Sequence, residues 1–588
     1  MDDLCSFIGF NIGDADDEHS SSNDDYLGTK ELNEGKEVQF SGAEGWGDSG
    51  GTSSLCSNFG FNPDDISEEG YLLSPHQQKD LQQMPDIDYE TLDNLQFDMV
   101  PPLLQDNMNS DQLPSMVPVS ESINDKPCSL PLASLELLNN YGCGFKRLNG
   151  ERNFQTVDDS VATDVERKLS TEDIIRIAGK RFIQSSSESV DFHPYDSCFS
   201  RLSHEEKEDV ELAESLLASA EKIAYQQFER ASTLLNHCES LSSKTGTAVK
   251  RVVAYFSDAL RERLHRETGR ISAKVLSQRQ SFDPDQAMKS PNPTSLACHA
   301  KLPFCQVSFF CEVQAIIDNS MDAKKIHIID FAIKDGVNWS ILMQALESRH
   351  NGPVELLKIT AVGTTSKHLL EDVGKRLMNF AQTMNIPFSF KIVMVSNMLD
   401  LNKDLFEIDP EETIVVSSHF RLKRMLSQPD HLESVMKVIQ NIKPAVMVVT
   451  EVEANHNATS FVNRFTETLF YFSAYFDCLD TCMKKDDANR MILESVYFGH
   501  GIRNIVAMEG DERKIRNVKI DVWRAFFERF GMVEKELSMS SLYQAELVAK
   551  RFACGSSCTF EMNGNCLLIG WKGTPLHSLS VWEFLDDD

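Results

Sequence analysis

The sequence has no pair of cysteines in the CxxC spacing, although it contains 14 cysteines. Zinc ribbons and dithiol redox motifs use that spacing, so its absence argues against both classes. The nearest spacings, Cys478/Cys482 and Cys554/Cys558, leave three residues between the thiols. We interpret the first pair as buried helix cysteines that behave as small hydrophobic residues, and the second as part of a loop. No metal site is therefore expected.

The chain does not begin with basic residues followed by an apolar segment, and no stretch of membrane-spanning length is free of charged residues. Secretory signal peptides and transmembrane helices need those features. We therefore expect a soluble, intracellular protein with reduced thiols and without a membrane partner.

Basic residues are scarce, with 57 Lys and Arg against 90 Asp and Glu and a net charge of −33. Phosphate contacts need clusters of Lys and Arg, so direct DNA binding is a minor hypothesis. One dense basic group is present, formed by Arg513, Lys514 and Arg516 with Lys519 nearby. It could meet an acidic partner or nucleic acid, but a solvated helix face is the favoured interpretation.

The first 150 residues hold 28 acids and only 6 bases, and their short apolar clusters follow no sustained period. Such a composition cannot bury enough surface to fold alone. Segment 86–98 interleaves acids with Ile, Tyr, Leu and Phe, a pattern typical of activation segments that fold on a partner. A solvated linker is the open alternative. We predict that 1–165 is a disordered acidic regulatory or activation region.

Helical patterns follow. A short amphipathic helix after Ser170 lies in a stretch, 166–202, that we interpret as a helical linker. Ser203 and Glu206 form a capping box, and apolar residues then recur at helical spacing, which predicts one long helix and a second from Ala248. These helices would form a cap at about 203–290. Candidate partner-binding residues on its stripe, which could equally be core, are Leu216, Leu217, Phe228, Leu234 and Leu235.

The run 325–331 is β-branched and apolar and closes on an acid, as a buried parallel strand does. Helices and strands alternate after it, which implies a sheet covered on both faces. Asn563-Gly564 between two apolar runs predicts a hairpin, and a last strand is expected at 578–584. The fold class is α/β, with a Rossmann-like, methyltransferase-like doubly wound sheet at about 300–588 and an α-helical cap before it.

The turn after the first strand, 332–339, contains one glycine, Gly336. A dinucleotide or S-adenosylmethionine site usually has two or three there, so that backbone N–H groups can approach the ligand. We therefore expect no cofactor and no enzymatic activity. A small-molecule S-adenosylmethionine-dependent methyltransferase with an atypical turn remains the alternative.

Polar residues within the predicted sheet are the other candidates, and no catalytic residue is assigned. His327 could be a base, but a hydrogen-bonded core histidine is favoured. Trp571 is expected in the core, whereas Trp582 is more open to an interface role. A candidate pocket at the end of one strand comprises Glu451, Glu453, Asn455, His456 and Asn457.

Ordered motifs over 205–588 resemble the plant GRAS family. Ile326, His327, Ile328, Ile329 and Asp330 form a version of the VHIID motif, and Arg464-Phe465-Thr466-Glu467 looks like the end of the PFYRE region. Trp571, Ser580, Val581 and Trp582 match the SAW region. The core resembles the DELLA-related branch, but residues 1–200 contain no Asp-Glu-Leu-Leu-Ala string, and the motif usually written RVER is Arg-Lys-Ile-Arg at 513–516.

The resemblance implies a nuclear transcriptional regulator that binds DNA-binding transcription factors of zinc-finger or helix-loop-helix type. Its acidic N-terminus would recruit the transcription machinery, and it could form a homo- or heterodimer with other GRAS proteins. DNA contact would then be indirect. A direct, sequence-specific DNA-binding factor is the further alternative. The sequence does not indicate the hormone, developmental or stress pathway, or the sign of regulation.

Overall fold

The computed structural model describes residues 169–185, 202–270 and 293–585. The predicted acidic region 1–165, with its segment 86–98, lies outside these residues. Within the described part of the chain, no helix combines the length and the apolar character that crossing a membrane requires.

Four helices precede the sheet domain. They are α1 (Thr171–Ser185), α2 (His204–Ala224), α3 (Phe228–Leu241) and α4 (Ala248–Glu267). The predicted capping box is present, because the Ser203 side chain accepts from the Glu206 N–H and the Glu206 side chain accepts from the Ser203 N–H. The prediction of one long helix through Leu235 is wrong. The chain breaks at Gln226, whose φ of 58° is left-handed, as at many helix ends.

Helix α1 is part of the folded domain and does not behave as the linker predicted for 166–202. The Thr171 N–H donates to Asp477 Oδ1 at 3.0 Å, across more than 300 residues of sequence. Arg181 pairs with Glu214 of α2 at 2.8 Å. Ile174, Ile175 and Ala178 are buried, so one face of α1 contributes to the core.

The parallel half of the sheet domain alternates helices and strands. Its elements are α5 (Pro293–Lys301), α6 (Pro303–Asp318), β1 (Lys325–Asp330), α7 (Val337–Glu347), β2 (Leu356–Gly363), α8 (Lys367–Thr383), β3 (Phe388–Met394), β4 (Glu412–His419), α9 (Leu422–Met425), α10 (Pro429–Ile442) and β5 (Val446–Val452). Strand β1 is buried because its alternate faces both carry isoleucine, with Ile326, Ile328 and Ile329 fully buried.

The second half contains long helices and antiparallel strands. Its elements are α11 (Phe461–Cys482), α12 (Ala488–Ile492), a π-helical turn (Leu493–Phe498), α13 (Gly499–Ala507), α14 (Ile520–Glu528), β6 (Met532–Lys535), α15 (Met539–Lys550), β7 (Cys558–Asn563), β8 (Cys566–Trp571) and β9 (Thr574–Phe584). The hairpin predicted at Asn563-Gly564 joins β7 to β8, with Gly564 at φ 61°. Strand β6 was not predicted, because four residues carry too little pattern.

In the described residues, nine strands form one sheet in the order β3-β2-β1-β4-β5-β9-β8-β7, with β6 also paired to β9. Strands β1 to β5 run parallel, and β9 is antiparallel to β5. This confirms the α/β, methyltransferase-like doubly wound sheet. The strand order reverses between β1 and β4, and ligands of open α/β sheets bind beyond the carboxyl ends of the strands at such a point.

Candidate functional site: the sheet edge and the cap-core junction

Asp330 ends β1 at the reversal point, and its carboxylate is occupied by the protein itself. One oxygen accepts the Ala332 N–H at 2.7 Å, and the other accepts the Trp339 indole N–H at 2.7 Å. Burial raises the pKa of Asp330 to about 7. The acid therefore holds the turn and the start of α7 against β1.

The single glycine of that turn serves packing. Gly336 has φ 84°, a conformation that L side chains rarely adopt, and it directly precedes α7. A Cβ at this position would lie 3.1 Å from Val373 Cγ1 and 3.4 Å from Leu377 Cδ1 of α8. Glycine thus allows the turn and the close approach of α8, and no ligand is needed to explain it.

The carboxyl end of the next strand is also filled. Dinucleotide-binding sheets place an acid on the strand after the glycine-rich turn, where it binds the ribose hydroxyls. Here β2 ends at Gly363, and a Cβ would lie 2.7 Å from Leu370 Cδ1 and 3.2 Å from Met394 Sδ. Apolar side chains occupy the position where the sugar of a cofactor would need a polar partner.

A buried polar cluster lies at the end of β4. Ser417 Oγ donates to Glu312 Oε1 at 2.6 Å, and His419 Nδ1 is 3.2 Å from Glu312 Oε2. Burial raises the pKa of Glu312 to about 7. Nearby, Tyr475 Oη and His577 Nε2 are 2.8 Å apart. The sequence analysis missed this cluster because Glu312, on α6, is about 100 residues from its partners.

His327 is a hydrogen-bonded core histidine in the amino-terminal half of β1. Its Nδ1 is 2.9 Å from Glu412 Oε2, and its Nε2 is 2.8 Å from Thr360 Oγ1. Burial, with the charge of Lys358 adding to it, lowers the pKa of His327 to about 4. The histidine is neutral near pH 7 and lies away from the strand ends where a substrate would bind.

The candidate pocket residues contact neighbouring parts of the protein, and three of them, Glu453, His456 and Asn457, hold the segment 509–520. Glu453 Oε2 accepts the Ile520 N–H at 3.0 Å, and His456 Nδ1 is 2.8 Å from Asn517 Nδ2. The remaining contacts are Lys423 N–H to Glu451 Oε1 at 3.2 Å, Asn455 N–H to Glu467 Oε1 at 3.1 Å, and Arg516 to Asn457 Oδ1 at 3.2 Å. For Glu451, Glu453, His456 and Asn457 the pocket prediction is therefore corrected, because their side chains bind the protein's own groups. Asn455 is exposed, and a binding role stays a prediction for it.

Glu453 predicts a measurable pH dependence. Burial raises its pKa from 4.5 to about 7, so the folded state binds a proton that the unfolded state has lost between those values. Folding stability from this group falls as pH rises through that window. Because Glu453→Gln does not titrate, the variant should gain about 2–3 kcal/mol relative to the native protein between pH 5 and pH 8. Denaturant midpoints at both pH values measure it.

The exposed Glu546→Gln on α15 is the control for the change from carboxylate to amide. If the stability difference between Glu453→Gln and the native protein is the same at pH 5 and pH 8, Glu453 does not hold a proton in the folded state.

The predicted solvated basic face at 513–519 is wrong, since these residues form no helix. Arg513 is buried, and its guanidinium donates to the His456 carbonyl at 2.8 Å. Arg516 donates to the carbonyls of Arg513 and Gly510 at 3.1 and 2.7 Å. Lys514 is exposed. Both arginines are used to fold this segment, which weakens the case for a nucleic-acid surface here.

An arginine of the helical cap and one of the sheet domain meet at the same acid, Glu509. Arg464 of α11 is fully buried and donates to the carbonyls of Ile505 at 3.0 Å and Ala458 at 2.8 Å, and it also pairs with Glu509. Arg263 of α4 reaches the same Glu509 at 2.8 Å. We call Arg263, Arg464 and Glu509 the arginine junction. Arg464 was noted in the sequence only as part of a motif, although an arginine among the apolar residues of α11 is a signal in itself.

A cleft of about 540 Å³ opens between cap and core beside the arginine junction. Phe228 of α3 and Phe461 of α11 line it, and the Arg263 guanidinium lies 3.8 Å from the centre of the Phe461 ring. The cleft also borders the break at Gln226.

The predicted partner-binding stripe divides into two sets. Leu216, Leu217 and Leu235 are buried, with at most 2% of each exposed, so for these three the interface prediction is corrected to core. Phe228 and Leu234 are partly exposed on α3. An interface role stays a prediction for these two.

The carboxyl-terminal motif residues are core. Trp571 donates its indole N–H to Asp477 Oδ2 at 2.7 Å. Trp582 donates to Ser580 Oγ at 2.9 Å, and its ring centre lies 4.8 Å from that of Phe527. Trp582 is fully buried, as is Val581, so the interface role left open for Trp582 is corrected to a core position.

Comparison with known proteins agrees with this architecture. The model of the GRAS domain family matches residues 212–583. The chain is 30% identical over 398 residues to the DELLA protein GAI of Solanum lycopersicum, an alignment that covers 64% of this chain and 65% of that protein. It is 31% identical over 376 residues to the DELLA protein RGL1 of Arabidopsis thaliana, covering 64% of this chain and 70% of the relative.

A solved structure points to the same family. The crystal structure of SCL7 in Oryza sativa superposes with a TM-score of 0.56 at 25% identity, covering 63% of this chain and 99% of that one. The chain belongs to the GRAS domain family. It spans just under two thirds of the length of the tomato relative. This is the family that the sequence motifs indicated.

Proposed function

We propose that this protein is a nuclear transcriptional regulator that acts by binding DNA-binding transcription factors. The observation that carries the proposal is the filled edge of the methyltransferase-like sheet. The indole N–H of Trp339 binds the carboxylate of Asp330. At Gly363, apolar side chains lie where a cofactor-binding sheet would have a sugar-binding acid. A sheet whose ligand edge is closed by its own side chains is better suited to hold binding surfaces than to turn over a substrate.

The partner surface that we favour lies on α3 and the adjoining cleft. Helix α3 buries only Ala231, Leu235 and Cys238, so most of its circumference faces outward. Phe228 lines the cleft, and Leu241 is 50% exposed. Aromatic and aliphatic anchors in a recess are the usual centre of a protein interface. Transcription factors of zinc-finger or helix-loop-helix type, or a second GRAS protein, are the partners implied by the family resemblance.

The acidic region would supply the second half of the function. Segment 86–98 alternates Asp and Glu with Ile, Tyr, Leu and Phe, so it can offer apolar anchors while its charge keeps it soluble. Recruitment of the transcription machinery by this segment would make the protein an adaptor between that machinery and a DNA-bound factor.

A tethered reporter tests the proposal. We expect the full chain, fused to a heterologous DNA-binding domain, to raise reporter output, and alanine at Leu92, Leu95 and Phe97 together to lower it several-fold. The three apolar side chains supply the anchors, so their loss should leave the charge but not the recruitment. Matched alanines at the acids Asp88, Glu90 and Asp93 separate the role of the charge from that of the anchors. Unchanged output in the apolar variant, at equal protein level, would refute the recruitment role.

Calorimetry with S-adenosylmethionine discriminates the enzyme alternative, since micromolar binding to the full chain would favour a methyltransferase. The DNA-binding alternative predicts that the purified chain binds random duplex with an affinity that falls steeply with salt. We expect neither result, because the ligand edge is filled and the Arg513 and Arg516 side chains are bound internally.

A further inference from the structure

Two cysteines far apart in sequence lie side by side. Cys482 is the last residue of α11, and Cys554 lies in the loop between α15 and β7, directly before the turn Gly555–Ser557. Their Sγ atoms are 3.0 Å apart. A disulfide needs a separation of about 2.05 Å. Closing the remaining gap of about 1 Å between the two sulfur atoms would bring them to that separation.

The position of Cys554 is set by its backbone. A Cβ at Gly555 would lie 1.8 Å from the Ala549 carbonyl oxygen, so only glycine lets the loop fold back against the end of α15. The Ser557 N–H donates to the Cys554 carbonyl at 2.9 Å, and the Lys572 N–H donates to the Ser557 carbonyl at 2.7 Å. The loop is thus held in the shape that brings Cys554 to Cys482.

Exposure distinguishes this pair from its neighbours. Cys482 and Cys554 are partly exposed, whereas Cys478 and Cys558 are buried. Cys478 Sγ lies 3.8 Å from Cys482 Sγ, one helical turn earlier. No group of three or more metal-binding side chains suited to an ion occurs among the residues that the structure describes. A small oxidant can therefore reach Cys482 and Cys554 before the other two thiols.

We propose that Cys482 and Cys554 are an oxidisable pair that hydrogen peroxide converts into a disulfide. Deprotonated Cys482 attacks one peroxide oxygen, the O–O bond breaks, and the products are the Cys482 sulfenic acid and hydroxide. The Cys554 thiol then attacks the Cys482 sulfur, which forms the S–S bond and releases the oxygen as water. Hydroxide takes up the remaining proton, so two thiols and one peroxide give one disulfide and two waters.

The surroundings of the two thiols set the rate at which they are oxidised. The hydrogen bond with Cys478 and burial raise the pKa of Cys482, while the contact with Cys554 lowers it. The hydrogen bond with Cys482 and burial likewise raise the pKa of Cys554. Because the thiolate is the reactive form, oxidation should be slow at pH 7 and should accelerate about tenfold per pH unit as the thiolate fraction grows.

The disulfide would fix the end of α11 to the loop before β7. Asp477, on the same end of α11, accepts from the Thr171 N–H, from the Trp571 indole N–H at 2.7 Å and from Lys572 Nζ at 2.6 Å. Oxidation would therefore restrict the movement of the surface against which α1 packs. It would also restrict the movement of the point where the preceding chain joins α1.

Peptide mapping of the oxidised full chain tests the pair. The reduced protein is incubated with hydrogen peroxide at pH 7, 8 and 9, free thiols are blocked with N-ethylmaleimide, and a non-reducing digest is analysed by mass spectrometry. We expect a cross-linked peptide joining residues 482 and 554, lighter by two hydrogens than the two peptides together and absent after reduction. Its rate of formation should rise with pH.

Variants identify which thiols form the bond. Cys482→Ser and Cys554→Ser should abolish the cross-link, whereas Cys478→Ala and Cys558→Ala, the matched changes at the neighbouring thiols, should retain it. Far-ultraviolet circular dichroism checks that each variant is folded. A native chain in which peroxide joins Cys482 or Cys554 to other cysteines, or forms no disulfide while these two thiols are oxidised, would overturn the proposal.

Discussion

Replacing Arg464 by alanine is expected to destabilise the protein by about 3–5 kcal/mol. The guanidinium is fully buried and binds the carbonyls of Ile505, Ala458 and Thr459 besides its pair with Glu509. Removing it leaves backbone acceptors of the sheet domain without donors, and a buried acceptor that loses its partner costs about 1–3 kcal/mol. Chemical denaturation of the full chain, monitored by tryptophan fluorescence, measures the loss.

The control is Arg230→Ala on the exposed side of α3, which should stay within about 0.5 kcal/mol of the native protein. Arg464→Lys is informative as well, because a single ammonium cannot reproduce the planar fork that reaches Ile505 on one side and Ala458 on the other. It should lose most of the same stability. Equal midpoints for Arg464→Ala and Arg230→Ala would show that the buried Arg464 guanidinium does not contribute to stability.

The sheet could be predicted from the sequence because each strand carries its own signal. Strand β1 carries isoleucine at three of its six positions, on both of its faces. A parallel strand buried on both faces must be apolar along its length, so a local window is sufficient to find it. The Asn-Gly hairpin is equally local.

The break between α2 and α3 was missed because the sequence pattern that predicts a helix is also local. Apolar residues continue at helical spacing through Gln226, and a period alone does not show where the axis turns. The left-handed Gln226 has no sequence signature such as glycine. The buried positions of Leu216 and Leu235 are right for either arrangement, so the pattern could not decide between one helix and two.

The site residues were harder, because their partners are distant in sequence. Glu453 and His456 follow a strand end, as binding residues do, but whether they face a ligand or a neighbouring segment depends on Ile520 and Asn517. The arginine junction joins Arg263 to Glu509 across more than 200 residues. Side-chain type indicates what a group can bind, whereas the fold determines what it binds.

Substitution of a buried cap leucine is expected to give the second large loss of stability. Leu216 on α2 is fully buried, so Leu216→Asp would place an unpaired carboxylate in an apolar core, and we expect that variant not to fold. Leu216→Ala should fold but lose about 2–5 kcal/mol, because its cavity cannot fully collapse. Both changes act on stability, and thermal unfolding followed by circular dichroism measures them.

Leu234 on α3 is the matched position for comparison with Leu216, because it is also a leucine of the cap but is partly exposed. Leu234→Asp should cost about 1 kcal/mol or less, since water still reaches the new carboxylate. If α3 is the partner surface, this variant should remain folded yet lose co-purification with the transcription factors that the native chain captures from nuclei, and Phe228→Asp at the cleft should do the same. Unfolding of both Leu234→Asp and Phe228→Asp would show that this face is core, and the partner surface would then have to lie elsewhere on the domain.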